Sequence, residues 1–352
     1  SASNHAHLHN VTIVSQLFGT VNDLRLEDVE NGYGANTLRV NKFWMSNSTF
    51  EESSSNNNNF YIYVSDLDNT NNASSSDVYI FNSTLNFATG STNQHSFVFD
   101  VYTTGDIRII DSEINATNFE TSKIELEGSD IWITNSTLWS GTKYTGAGCS
   151  YRCNSYDLYS DLNLYGDNLE INNSLLHSRA EAGNLRTDYD HYWFKSYNNI
   201  DVSVTSFEIV DSSLTTYSYS NYAYWGSNNR GVWSDLQIET SDLEIDNSTI
   251  MNEIGQPYNG GSYLYPDFDI IVEGDIEITE SFVGLESWTD NYGSLSFDFD
   301  LGHFSNSTIS SVPSGITGET ELYLTNTVVP DLTVSVNATA YYHNWLNAKV
   351  VL

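Results

Sequence analysis

The stretch Asp130-Ile131-Trp132-Ile133-Thr134-Asn135-Ser136-Thr137-Leu138 decides the fold, because it returns. Its frame is acid, apolar, any, apolar, any, Asn/Asp, Ser, any, apolar. Clear copies begin at Asp77, Asp106, Asn168, Ser206, Asp242, Asp275 and Glu321, and weaker ones at His5, Lys42 and Leu301. With the quoted stretch they make eleven, spaced 20 to 38 residues apart. Alternation with period 2 marks a strand with one buried face. The Asn-Ser pair ends it, since both side chains favour turns. A second alternating strand often precedes the first, as in Lys123–Glu127, Asp161–Tyr165, Asp235–Glu239 and Phe268–Glu273, joined by a short link such as Gly128-Ser129. The expected unit is strand, tight corner, strand, turn and a longer loop.

A lone unit of this kind cannot cover its apolar face, whereas stacked copies can. The expected fold is therefore all-β: a parallel β-solenoid of about eleven irregular coils, one elongated domain over residues 1–352. At ~4.8 Å per layer the stack would be on the order of 50 Å long. An antiparallel sandwich is the alternative. It accounts for short strands but not for the returning nine-residue frame.

Composition narrows the function. The chain carries 46 acidic and 12 basic residues, a formal charge of −34. No basic stripe exists to meet nucleic acid or anionic lipid. No run of 18 apolar residues is present to span a membrane as a helix. Charge of this size keeps isolated chains apart, so association would want cations, salt or low pH. A start at Ser1 suggests a processed secretory protein, expected to be extracellular or on the cell surface.

The frame D-I-x-I-x-N-S-x-I resembles that of the right-handed parallel β-helix family of secreted proteins, over nearly the whole chain. The resemblance implies an internal asparagine ladder at a coil corner: Asn82, Asn135, Asn173, Asn247 and Asn326, with Asp111, Asp211 and Glu280 as irregular rungs. Parity agrees, because the Asn place shares a face with the two apolar places before it. The acidity and the Asn/Ser/Tyr-rich coils are also similar to those of archaeal surface-layer and sheath proteins, the tubular, amyloid-like sheaths of methanogens among them. That likeness implies a non-enzymatic glycoprotein that self-assembles with copies of itself.

Candidate sites are few, and no residue is assigned a catalytic role. The third place of four successive copies holds Glu170, Glu208, Glu244 and Glu277. In register these form an outward carboxylate row that would splay, take up protons or bind Ca²⁺. Asp66 and Asp68 offer further hard oxygen ligands. His5, His7 and His9 alternate on one strand face, a pattern that can hold Zn²⁺, Cu²⁺ or Ni²⁺, though no acidic residue follows closely to complete the shell. No cofactor is required. Cys149 and Cys153 read as a local disulfide or as a link between subunits. Ten Asn-X-Ser/Thr sequons occur. Those on the inward ladder are read as structural, leaving Asn72, Asn115, Asn172 and Asn337 as glycan sites.

Two rival functions stay open. A polysaccharide lyase or hydrolase would use loop residues such as Arg179 and Arg186, or carboxylate pairs such as Asp267/Asp269 and Asp298/Asp300. A carbohydrate-binding protein would use the aromatic runs Tyr189–Tyr197 and Tyr217–Trp225, which are expected between coils. The apolar C-terminus, Asn344–Leu352, is expected to dock on a neighbouring subunit.

Overall fold

A computed structural model describes residues 5–13, 17–31, 35–52, 58–64, 77–88, 96–118, 120–144, 156–182, 194–220, 231–255, 263–287, 294–310, 314–325, 327, 332–336, 339–343 and 349–350. These form an all-β structure in which every strand pairing is parallel. The antiparallel alternative is therefore excluded.

The repeat holding the quoted stretch shows how a unit is built. Its first strand is Thr121–Glu127 and its second is Asp130–Thr134. A third, Thr137–Tyr144, follows the Asn-Ser pair, where sequence reasoning expected only turn and loop. Each strand pairs with its counterpart in the next repeat: Ile124 with Leu162, Ile131 with Leu169 and Leu138 with Leu176. The first and second strands of that repeat run together as one, Tyr156–Asn172. Gly166 permits the close passage there, since a Cβ on it would meet the Gly128 carbonyl oxygen at 2.5 Å.

The frame itself dictates the core. Its second, fourth and ninth places are Ile131, Ile133 and Leu138, all fully buried, as are Ile107, Ile109 and Ile114 one repeat earlier. Each such side chain contributes roughly 1.5–3 kcal/mol by leaving water. First and third strands together add a polar column inside, from Ser122 and Ser160 on first strands and Ser140 on a third. Ser140 Oγ donates to Ser122 Oγ at 3.0 Å, and Ser160 Oγ donates to Ser140 Oγ at 3.2 Å. All three residues are fully buried. Small hydroxyl side chains that satisfy one another replace the large apolar ones of the second strand.

The corner corrects the expected asparagine ladder. The sixth place is left-handed in every described copy, with φ of 44–54° at Asn10, Asn47, Asn82, Asp111, Asn135, Asn173, Asp211, Asn247, Glu280 and Asn306. Asn and Asp tolerate that backbone better than other side chains, which is why they recur. One left-handed residue breaks the alternation. Asn135 then points outward and is exposed, while Ser136 turns inward. The ladder is thus on the surface, not inside. Its rungs remain bonded: the side-chain amides of Asn82, Asn135, Asn173 and Asn247 donate to the side-chain oxygens of Asn47, Asp111, Asn135 and Asp211 at 2.6–3.1 Å. Outside, the acidic rungs need no buried proton. Asn326 lies outside the described residues.

Serine takes the buried place. Backbone bonding changes direction at the corner, because Asn135 N–H donates to the following repeat (Asn172 O) and Thr137 N–H to the preceding one (Ser112 O). The N–H between them belongs to neither ladder. Ser136 N–H donates instead to the Oγ of Ser174, at 3.0 Å, and that Oγ donates to the Asn172 carbonyl at 2.7 Å. The same link runs without a break from Ser48 through Ser83, Ser112, Ser136, Ser174, Ser212, Ser248 and Ser281 to Ser307. It answers the demand that a buried N–H find an acceptor.

An additional copy, Asp23–Asn31, also emerges. Asp28 is left-handed with φ 52°, and its strand pairs with both His5–Ile13 and Ala35–Ser46. Its seventh place is Val29, so the Asn-Ser marker is missing, and Val29 N–H borrows Ser48 Oγ at 3.1 Å.

Candidate functional site

Register brings the four third-place glutamates together. Glu170 lies opposite Glu208, Glu208 opposite Glu244 and Glu244 opposite Glu277. Burial pushes the Glu208 carboxyl up from its ordinary value, with Glu244 and Glu170 adding repulsion. The row is bounded by Trp132 on one side and His303 on the other. It is a strained line of like charge on an open face.

The first strand carries a second acidic cluster that sequence reasoning did not single out. Lys123 Nζ sits 2.6 Å from Glu125 and 3.9 Å from Asp100, and Asp161 is its register partner. Burial raises Asp100 and Asp161 to about 6, and Lys123 only partly offsets this. Asp235, opposite Asp267 and beside Asp269, is solvent-exposed as a residue, yet desolvation of its carboxyl and then those two charges raise it to about 6. Carboxyls that hold a proton near pH 6 are chemically able to serve as acids. Asp100 and Asp161 are spent in the ion cluster around Lys123, and Asp235 faces like charges.

The histidine strand gains a partner from the copy the sequence hid. His5, His7 and His9 share one exposed face. His5 Nδ1 pairs with Asp23 at 2.5 Å, while His7 and His9 both approach Glu27 Oε2, at 3.2 and 3.7 Å. The acid that seemed absent near the histidines comes from the neighbouring strand, in register with His9. The leucines at places two and four of Asp23–Asn31 were the signal that could have revealed it.

Aromatic residues also fall on strands and not only between them. Tyr159, Tyr197, Trp233 and Tyr265 stack as a row, with centroids 4.8, 4.6 and 5.2 Å apart and planes within 14°. Their faces are spent on each other, so the row ties repeats together and offers mainly edges to solvent.

One concave site stands on the outer face of the third strands. It has a volume of about 330 Å³ and is lined by Asn115, Thr117, Trp139, Gly141, Lys143, Arg179 and Glu181 among others. Arg179 and Lys143 reach Glu181 at 3.0 and 3.3 Å, and the Arg179 guanidinium lies over the Tyr217 ring. Arg179 Nε is buried without a hydrogen-bond partner. Gly141 leaves space for the indole, since a Cβ there would fall 2.6 Å from Trp139 Nε1. Beside the indole, burial and the Arg179 charge hold His177 down at about 4.

The expected glycan sites divide differently from the sequence reading. Asn115 and Asn172 are half-buried, and the Asn115 Oδ1 accepts from Thr117 at 2.6 Å. The ladder sequons at Asn82, Asn135 and Asn247, read as buried, are exposed. Asn72, Asn337, Asp66, Asp68, Cys149, Cys153 and Arg186 lie outside the described residues. So does most of Asn344–Leu352, of which Lys349 and Val350 pair in parallel with Thr333 and Val334. No protein-family model, curated protein or solved structure matches this chain.

Proposed function

We propose that the chain is a β-solenoid acting as a non-catalytic structural subunit, built with copies of itself into an extracellular or cell-surface sheath, layer or filament. The observation that carries this reading is the parallel pairing that links the described strands from His5–Ile13 to Lys349–Val350. The first strand, His5–Ile13, is bonded on one side among the described residues. An open strand edge is a template for another chain. The buried serine chain and the surface asparagine ladder tie successive repeats together. The charge of −34 opposes contact between copies; protons or divalent cations on the glutamate row would relieve it.

Electron microscopy and light scattering on the purified full chain, at pH 7 and pH 5 with and without millimolar Ca²⁺, test the proposal. Ordered tubes, sheets or filaments are expected, favoured by acid or Ca²⁺. Dispersed monomers under all four conditions would end it. Degradation of an acidic polysaccharide by those monomers would favour an enzyme.

A second reading, recognition of an acidic saccharide, is favoured by the cavity at Trp139. It pairs an aromatic surface with Arg179, whose Nε still lacks an acceptor. Glycan-array binding that Arg179→Ala abolishes would support that reading.

A further inference from the structure

We propose that His7, His9 and Glu27 form a site for a first-row transition metal, Zn²⁺, Ni²⁺ or Cu²⁺, within a single chain. The site needs no second copy, so the inference is independent of the assembly reading.

Three observations converge. First, residues two apart on a strand project from the same face, and His7 and His9 do so on an exposed strand. Second, parallel register sets Glu27 opposite His9 and Arg25 opposite His7. Third, one donor atom from each of His7, His9 and Glu27 lies within 4.8 Å of the other two. Tetrahedral ligands at about 2.0–2.1 Å from zinc stand roughly 3.3 Å from one another. Glu27 Oε2 is already 3.2 Å from His7 Nε2 and 3.7 Å from His9 Nδ1. Small rotations of the exposed His7 and His9 rings toward the half-buried Glu27 close the remaining gap.

The donor set chooses the metal. Two imidazoles and one carboxylate suit zinc, nickel and copper, whereas calcium and magnesium prefer oxygen alone. Three protein ligands leave a position open to water or another ligand. Asp28 Oδ2, 3.6 Å from His9 Nδ1, is a further carboxylate oxygen at hand. Two neighbours bear on affinity. Arg25 lies 3.4 Å from Glu27 Oε2 and competes with the metal for that oxygen. His5 is engaged by Asp23 and stands outside the set.

Calorimetric titration of the full chain with Zn²⁺, and visible absorption with Co²⁺ as spectroscopic probe, test the site. One ion per chain is expected. His7→Ala and His9→Ala should each weaken binding by at least ~10-fold, since even an outer-shell partner is worth ~10–100-fold, and Glu27→Gln by ~10-fold. His5→Ala should leave affinity unchanged, and Arg25→Ala should raise it several-fold. All five positions are on the surface, and circular dichroism of each variant checks that the fold is kept. Absence of binding overturns the proposal. So does Glu27→Gln binding as the wild type, or His5→Ala losing as much as His7→Ala; either would mean loose coordination by histidines alone.

Discussion

Ser136→Ala removes one hydroxyl from the middle of the buried serine chain, and its cost follows from the bonds it breaks. Ser136 Oγ accepts the Ser112 N–H at 3.1 Å and donates to the Thr134 carbonyl at 2.7 Å. Alanine fills almost the same space, so no cavity term enters. The Ser112 N–H is left buried with no acceptor, which costs about 1–3 kcal/mol. Asn135→Ala breaks a different set. Its two ladder bonds, to Asp111 and from Asn173, are on the exposed surface and are worth a few tenths of a kcal/mol. The left-handed backbone adds ~1 kcal/mol for alanine, and Asn135→Gly avoids that penalty. The expected order of cost is Ser136→Ala, then Asn135→Ala, then Asn135→Gly. Ser136→Thr should be tolerated, since Thr327, at the same seventh place of the copy that begins at Glu321, is fully buried and donates to the Phe304 carbonyl at 3.0 Å. Repeat proteins need not unfold in one step, so native-state hydrogen exchange at the Ser112 amide is the appropriate assay. A loss of ~2 kcal/mol corresponds to roughly 30-fold faster exchange. Exchange within twofold of wild type in Ser136→Ala, or a larger loss in Asn135→Ala, would show that the serine hydroxyl does not hold the corner N–H.

Further outcomes follow from the surface. The carboxyls of Asp100, Asp161 and Asp235 are raised to about 6, against ~3.9 in an unfolded chain. Between those values the folded state binds more protons, so their stabilisation is complete below about pH 4 and is lost as pH rises through about 6. His177, lowered to about 4, acts oppositely: its contribution is present above ~6.5 and is lost as pH falls toward 4. Three carboxyls outweigh one imidazole, so urea midpoints should fall from pH 5 to pH 7, and Asp161→Asn should flatten that slope. Glu208→Gln, which interrupts the glutamate row, should raise stability by ~0.5 kcal/mol in urea melts at pH 7. It should also reduce any stabilisation by Ca²⁺; unchanged calcium dependence would remove the row as the cation site. Gly141→Ala should displace the Trp139 indole, seen as a shifted tryptophan emission maximum with little change in melting temperature.

The repeat and the strand pairs were legible in the sequence because a period of 2 says which side chains must leave water, and a returning frame says that neighbours cover them. The register of Glu170, Glu208, Glu244 and Glu277 followed from the same count. The side on which the asparagines lie did not follow, although the ninth-place residue held the clue. Leu138 is five residues beyond Ile133, an odd step that requires one break in alternation, and the left-handed Asn135 is that break. Local pattern therefore determined the strands, their stacking and the residue types at the corner. Folding in three dimensions was needed to fix which hydroxyl accepts the stranded corner N–H, to bring Glu27 to His7 and His9, and to set Trp139 and Arg179 around one hollow. Those contacts link residues 18 to 40 positions apart, set by loops whose lengths carry no period, so no local rule could have supplied them.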